Sequence, residues 1–241
     1  MDKQYPAATP HGEITQVFED VFFVTGSVVM APGLQISRNM IVVRSGTSLT
    51  LISTVRLNDA GLKALDALGQ VEHVMKLGAF HLGDKNGLDD AFYVDRYDAQ
   101  LWALPGMEHK DGLVTSDTLV VNGPLPIEDA SLFVYETSKM PEGMILLQRG
   151  GGTLVSADSL QNWTEVDPFF SEEGGSKMQS FGFIKPANIG PQWRRVCEPQ
   201  QKDFTRIAEL PFRHLLPSHG KPILNTAKQQ FLPALQQTFN E

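Results

Sequence analysis

The segment 76–87 reads KLGAFHLGDKNG and opens at the end of an apolar run, residues 71–77, that has the character of a buried strand. In this segment His81 is followed three residues later by Asp84 and then by a turn that contains Gly87. Imidazole and carboxylate groups on a turn at a strand end are suited to binding a divalent metal. Two further apolar runs end in similar groups, in Ser156-Ala157-Asp158 and Pro217-Ser218-His219-Gly220. We therefore expect these side chains to meet where the strand ends converge: His81, Asp84, Asp158 and His219.

Length and charge limit the class of protein. The 241 residues are 41% hydrophobic and carry a net charge of −8, with a pI near 5.2. This size fits one large α/β domain or two small halves that share a core. The acidic balance argues against nucleic acid or a membrane surface as partner, since both favour a positive patch. Residues 1–6 lack the apolar stretch of a secretion signal, and no run reaches the ~18 apolar residues that span a bilayer, so we expect a cytoplasmic protein.

The chain has a single cysteine, Cys197, so no disulfide can form within it. Arg194 and Arg195 precede it and would lower the pKa of the thiol, which would make the cysteine reactive. The alternative is an ordinary, partly buried cysteine at the start of a helix.

Strand and helix patterns follow an irregular arm, residues 1–12. Residues 13–26 predict two antiparallel strands broken at Glu19-Asp20, and a turn at residues 45–47 predicts a hairpin. Asn58 or Asp59 can cap a helix that precedes the strand at 71–77. The second half repeats this order, with a hairpin around residues 150–152 and helices at 200–210 and 225–239. Strands followed by helices, twice over, predict an α/β fold. Residues 161–192 have poor periodicity and are predicted to form a lid or a helical insert.

The ordered motifs resemble those of the metallo-β-lactamase superfamily. The likeness covers roughly residues 13–240 and implies one four-layer αβ/βα sandwich over residues 13–241, with a metal site between two sheet edges. Residues 39–43, NMIVV, are similar to the family's first strand, which Asn39 opens. The family ends the following hairpin with Asp-Thr-Gly, where this chain has Ser53-Thr54-Val55.

The resemblance also implies which metal ligands are retained. The family motif Thr-His-x-His-x-Asp-His keeps its second histidine as His81, but Ala79 replaces the first and Asp84 the last. Met140 stands where the next histidine ligand is expected. Asp158 matches the bridging aspartate and His219 the final histidine. The ion that the family holds by three histidines should thus be absent or very weakly bound, since a thioether is a poor ligand for zinc.

Two functions are compatible with these residues. In the first, the protein is a metal-dependent hydrolase that holds one Zn, Mn or Fe ion by four side chains: His81, Asp84, Asp158 and His219. A water molecule bound to the ion is the nucleophile, and Asp84 and His81 are the catalytic residues. In the second, the chain keeps only the fold, binds no metal, and uses its cleft for a small molecule or a partner. Five aromatic side chains could either line that cleft or pack in the core or the lid: Trp163, Phe169, Phe170, Phe181 and Phe183. No residue identifies a substrate.

The charges around the site can distinguish the metal-binding function from the metal-free one. Carboxylates that converge without a cation repel, so one pKa must rise or a base must approach. Lys85 and Lys139 are the nearest candidate bases by this alignment. A lysine in the ion's place would indicate a decayed site, whereas paired carboxylates without a lysine would favour a metal.

Overall fold

A seven-stranded sheet forms the first half of the protein. The structure, a computed structural model, describes residues 4–80, 88–110 and 112–237. The strands lie in sequence order, antiparallel from β1 to β4 and parallel from β4 to β7. Their bounds are β1 Thr15–Phe18, β2 Val21–Ala31, β3 Leu34–Ser45, β4 Ser48–Ile52, β5 Gln70–Lys76, β6 Gln100–Ala103 and β7 Asp117–Thr118.

The second half forms another sheet, in which four strands lie in the order β13-β10-β9-β8. Two more strands, β11 and β12, pair with each other, and a bridge between Asn162 and Gly220 attaches β11 beside the end of β13. The bounds are β8 Ala130–Val134, β9 Gly143–Leu147, β10 Thr153–Ser156, β11 Leu160–Trp163, β12 Lys185–Ile189 and β13 His214–Pro217.

Helices cover the outer face of each sheet. They are α1 Asp59–Asp66, α2 Asp89–Tyr97, α3 Glu172–Ser180, α4 Pro191–Cys197, α5 Gln201–Glu209 and α6 Ala227–Gln237. Helices α1 and α2 pack on the first sheet, whereas α4, α5 and α6 pack on the second. Between the sheets lies a third apolar core, to which Ile41 and Val43 contribute from one sheet and Ile145 and Val155 from the other. The order helix, sheet, sheet, helix confirms the predicted four-layer sandwich.

Local signals in the sequence explain most of these elements. Gly46 has a φ of +62° in the predicted hairpin turn, and the side chain of Asn58 accepts a 2.9 Å hydrogen bond from the backbone N–H of Gly61 at the start of α1. Residues 118–121 have a sequence typical of a strand, but β7 covers only Asp117–Thr118, and the side chains of Val120 and Val121 are exposed.

The predicted insert, residues 161–192, is an irregular hairpin with a helix inside it. Strands β11 and β12 are its two arms, and α3 lies between them in sequence and contacts β3. A Cβ atom at Gly174 would lie 2.0 Å from the carbonyl oxygen of Gln35, so only glycine permits this contact. Its action as a lid, and the division into an arm and one domain, stay predictions. Within the described residues, none of the helices has the length and apolar character needed to cross a membrane.

Candidate ligand site

Two predicted site residues meet at the ends of parallel strands. Asp158 follows β10 and His219 follows β13, and the register of these strands pairs Ser156 with Pro217, so both strands end at the same level. The distance between Asp158 Oδ1 and His219 Nε2 is 3.2 Å. Two ligands of a tetrahedral zinc ion are about 3.3 Å apart, given metal–ligand distances near 2 Å. The two atoms are therefore placed either to hydrogen bond or to share one ion.

His219 is held by the strand of the other sheet. Asn39 donates hydrogen bonds from Nδ2 to the carbonyl oxygens of Pro217, at 2.9 Å, and Gly220, at 2.6 Å. Its backbone N–H also donates to the carbonyl oxygen of Ser218, at 2.8 Å. The asparagine that opens the matched strand thus positions the loop that carries His219.

The other two predicted ligands, His81 and Asp84, lie outside the described residues, so their roles stay predictions. The adjacent described residues do not supply the missing ligands. Ala79 has no ligand atom, and its backbone N–H donates to the carbonyl oxygen of Pro141 at 3.0 Å. Met140 is 37% exposed.

The metal fit can be tested on these side chains. Among the residues that the structure describes, no three His, Cys, Asp or Glu side chains are grouped so that they could hold one ion. A dinuclear zinc pair therefore does not fit the described residues. They supply two ligands, Asp158 and His219, and a single ion would need His81 or Asp84 as well.

A buried acid that the sequence analysis missed lies beside Asp158. Glu142 is 1% exposed, and its Oε1 accepts a 2.6 Å hydrogen bond from the backbone N–H of Ser159. Its Oε2 has no hydrogen-bond partner among the described residues. Burial and the neighbouring Asp158 carboxylate raise the pKa of Glu142 well above its ordinary value, so the protonated form is favoured. The one available signal was that Glu142 is the only acid in residues 138–143, the segment in which Met140 stands at the position of a histidine ligand.

Both carboxylates converge on Gly78. A Cβ atom at that position would lie 3.3 Å from Glu142 Oε2 and 3.4 Å from Asp158 Oδ2. It would also lie 3.1 Å from the Cβ of Ala157, which is tighter than an ordinary contact. Gly78, which stands in place of the motif's threonine, therefore makes room for the two acids.

A second charged cluster, also missed, lies on the first-sheet side. Arg38, buried on β3, forms an ion pair with the buried Asp89 at the start of α2. Asp90 accepts a hydrogen bond from Thr54. Burial lowers the pKa of Arg38 to about 10, which leaves the guanidinium charged at neutral pH. Arg38 also lines a small pocket with Asp158 and His219, of about 10 Å³, which is room for about one water molecule.

Of the two candidate bases, Lys139 is described by the structure and is paired elsewhere. Lys139 instead forms an exposed 2.6 Å ion pair with Glu198. Lys85, the other candidate, lies outside the described residues. Convergence of the predicted pair Asp84 and Asp158 stays a prediction, because Asp84 lies outside the described residues. Glu142 also lies beside Asp158, and neither Glu142 nor Asp158 has a described lysine in an ion pair.

A larger, mainly apolar cleft opens beside Asp158 and His219. Its volume is about 410 Å³. The apolar lining comes from β2, β3, the segment after β5, the insert and α4: Met30, Leu34, Ile36, Phe80, Trp163, Met178, Phe181, Phe183 and Trp193. The polar lining residues are Asp158, Gln161, Lys177, Gln192 and His219. Of the five aromatic residues proposed from sequence, Trp163, Phe181 and Phe183 line the cleft, whereas Phe170 packs edge-on against Trp163 with ring centroids 5.6 Å apart.

Three side chains that line the cleft have buried polar atoms without a hydrogen-bond partner in the described parts of the chain. They are Gln161 Oε1, Trp193 Nε1 and His219 Nδ1. Buried polar atoms in proteins are nearly always hydrogen bonded, so atoms like these indicate a place where a ligand or water can bind.

Cys197 is not part of a reactive site. The residue is buried, and burial raises the pKa of its thiol to about 11. At neutral pH it is a thiol rather than a thiolate, which favours the interpretation of an ordinary packed cysteine.

No protein-family model matches the chain. Solved structures of similar fold include a metallo-β-lactamase from Hirschia baltica, with 16% identity, a TM-score of 0.61, and coverage of 92% of this chain and 97% of that one. A metallo-β-lactamase from Pseudomonas aeruginosa in its mono-zinc form has 11% identity, a TM-score of 0.62, and coverage of 97% and 99%. One from Pontibacter korlensis has 14% identity, a TM-score of 0.59, and coverage of 93% and 99%. As its motifs predicted, this chain has the metallo-β-lactamase fold.

Proposed function

We propose that this protein has lost the dinuclear metal chemistry of its fold and binds an apolar small molecule in the cleft beside Asp158 and His219. The observation that carries the proposal is the cleft itself, whose volume of about 410 Å³ is in the range of ligand sites and whose lining is mostly apolar. A few convergent polar groups at one end, among them the unpartnered atom of Gln161, would fix the orientation of the ligand.

The condition of the metal motif supports the same proposal. Ala79 and the exposed Met140 remove two of the three histidines that hold one ion in the family that the sequence resembles. Glu142, which favours its protonated form, adds a neutral carboxyl group beside the remaining acid. A hydrolase that needs two ions has lost one set of ligands.

The test is a fluorescence titration of EDTA-treated protein with N-phenyl-1-naphthylamine, an uncharged probe that brightens in apolar surroundings. We expect saturable binding of one probe per chain. Phe181→Ser should raise the dissociation constant about five- to tenfold, because an aromatic contact of about 1 kcal/mol is removed. Phe181 is 65% exposed in the free protein, so its replacement should not disturb the core.

Val114→Ser is the matched control, because Val114 is 73% exposed and does not line the cleft. It should leave the dissociation constant unchanged. Absence of saturable binding, or equal effects of the two replacements, would refute the proposal.

A second function, a hydrolase with one metal ion, is favoured by the 3.2 Å separation of Asp158 Oδ1 and His219 Nε2. It predicts close to one Zn, Mn or Fe ion per chain in freshly purified protein. That ion should disappear in Asp158→Ala, whereas protein that stays metal-free even after reconstitution would exclude this function.

A further inference from the structure

Two described groups at the polar end of the cleft accept hydrogen bonds. Gln161 Nε2 donates a 2.8 Å hydrogen bond to the backbone carbonyl oxygen of Asp158. Because a carbonyl oxygen can only accept, this bond fixes the orientation of the amide and leaves Oε1 as the free acceptor. Gln161 is 2% exposed, and Oε1 has no partner among the described residues. The carboxylate of Asp158 lines the same cleft.

Among the described residues, acidic side chains lie at this end of the cleft. Asp158 is a lining residue, and Glu142, the acid whose Oε2 approaches the same point near Gly78, lies behind it. The described lining contains one lysine, Lys177, which forms a half-exposed 2.7 Å ion pair with Glu173. An anionic head group would meet the carboxylate of Asp158. Among the described residues, Lys177 is paired with Glu173, and the buried Arg38, which lines a small pocket with Asp158, is paired with Asp89. Like charges brought together in a desolvated cleft are unfavourable.

Aromatic rings surround the remaining space. Trp163, Trp193, Phe80, Phe181 and Phe183 line the cleft. The faces of aromatic rings attract cations, and tryptophan does so most strongly. Rings together with one carboxylate are therefore a suitable environment for an organic ammonium group attached to a hydrocarbon body.

An ammonium group also needs fewer protein ligands than a metal ion. A protein-bound zinc ion takes three or four protein ligands, and the described residues do not provide such a set. An ammonium group has three donors and can be held by one carboxylate, one amide oxygen and a ring face.

We propose that the ligand of this cleft is a lipophilic amine in its ammonium form, with its charge on Asp158, a hydrogen bond to Gln161 Oε1, and its hydrocarbon part among the aromatic rings. This proposal rests on the proposed function and specifies the chemical class of the ligand. It also explains why an acid remains at the base of a cleft that has lost metal ligands.

The experiment compares n-octylamine, n-octanol and octanoate as competitors of N-phenyl-1-naphthylamine, at pH 7 in EDTA. The three share a hydrocarbon chain and differ in the head group. We expect octylamine to bind at least tenfold more tightly than octanol, and octanoate to bind most weakly. Asp158→Asn should abolish the preference for octylamine over octanol. Asp98→Asn, which makes the same charge change at an exposed residue outside the cleft lining, should preserve that preference.

Two outcomes would overturn the proposal. If octanol competes as well as octylamine, or if Asp158→Asn leaves their ratio unchanged, the head group is not recognised as a cation, although an apolar ligand site remains. If neither the fluorescent probe nor any competitor binds, the proposed function fails as well.

Discussion

The two charged clusters beside the cleft differ in how their acids are neutralised. On the first-sheet side, Asp89 has a permanent cation, because Arg38 reaches it from β3. On the second-sheet side, Glu142 and Asp158 have His219 and backbone donors but no described lysine or arginine in an ion pair. The first cluster contains its own cation, whereas the second can be completed by a proton or by a bound cation.

The two clusters therefore have different expected roles. Where an arginine supplies the charge, the acids contribute to folding. Where none does, burial raises the pKa of Glu142, and Asp158 is left facing a cleft. The second cluster is therefore where we expect ligands, and the first is where we expect stability.

The largest effect should follow from breaking the first cluster. Asp89→Asn removes the ion-pair partner of the buried Arg38, which typically costs about 4 kcal/mol of unfolding free energy. Urea unfolding measures this loss. Asp20→Asn is the control, because the ion pair of Asp20 with Arg44 is one-third exposed and should contribute no more than about 1 kcal/mol. Equal losses in the two variants would contradict the comparison.

A smaller effect is expected from separating the two sides. Asn39→Ala removes two side-chain hydrogen bonds to the loop that carries His219 and leaves two carbonyl oxygens unpaired, at a cost of about 2 kcal/mol. Loss of these bonds should also weaken binding of N-phenyl-1-naphthylamine, because the loop contributes His219 to the cleft. Asn58→Ala removes the N-cap of α1 and does not alter the cleft lining. It should cost about 1 kcal/mol of unfolding free energy and leave probe binding intact.

The smallest effect concerns the pH dependence of the second cluster in metal-free protein. The folded-state pKa of Glu142 lies above its ordinary value of 4.5, so the folded state holds this proton more tightly than the unfolded state. The contribution of Glu142 to stability is therefore greatest below pH 4.5 and decreases as the pH rises toward the raised pKa. Glu142→Gln should make the unfolding free energy less dependent on pH above 4.5 and should raise it at alkaline pH.

Glu128→Gln, at an exposed position, should leave the pH profile of the wild type unchanged. Urea titrations at several pH values test both variants. A wild-type profile that Glu142→Gln does not alter would mean that Glu142 is not the group responsible.

The sequence predicted the features that depend on local pattern. The strand ends at Asp158 and His219 follow apolar runs, and parallel pairing of those strands brings the two residues together. The helix α3 was less visible, because its sequence EEGGSKMQS has few apolar residues. It depends on capping by Ser171 and on the approach of Gly174 to Gln35.

The missed residues depend on contacts between distant parts of the chain. Arg38 and Asp89 are 51 positions apart, and nothing near either one in sequence predicts their pairing. Glu142 could not be predicted for the same reason. Its raised pKa results from burial beside Asp158 and Ser159 rather than from its neighbours in sequence. Local patterns show where polar groups leave a strand, but the partner of a buried charge becomes apparent only in the folded protein.

The central claim is that the paired metal site of the fold has been lost, and elemental analysis of zinc-saturated protein after gel filtration tests it most directly. Our account predicts at most one tightly held ion per chain. Two tightly held zinc ions per chain, both released in Asp158→Ala, would contradict it.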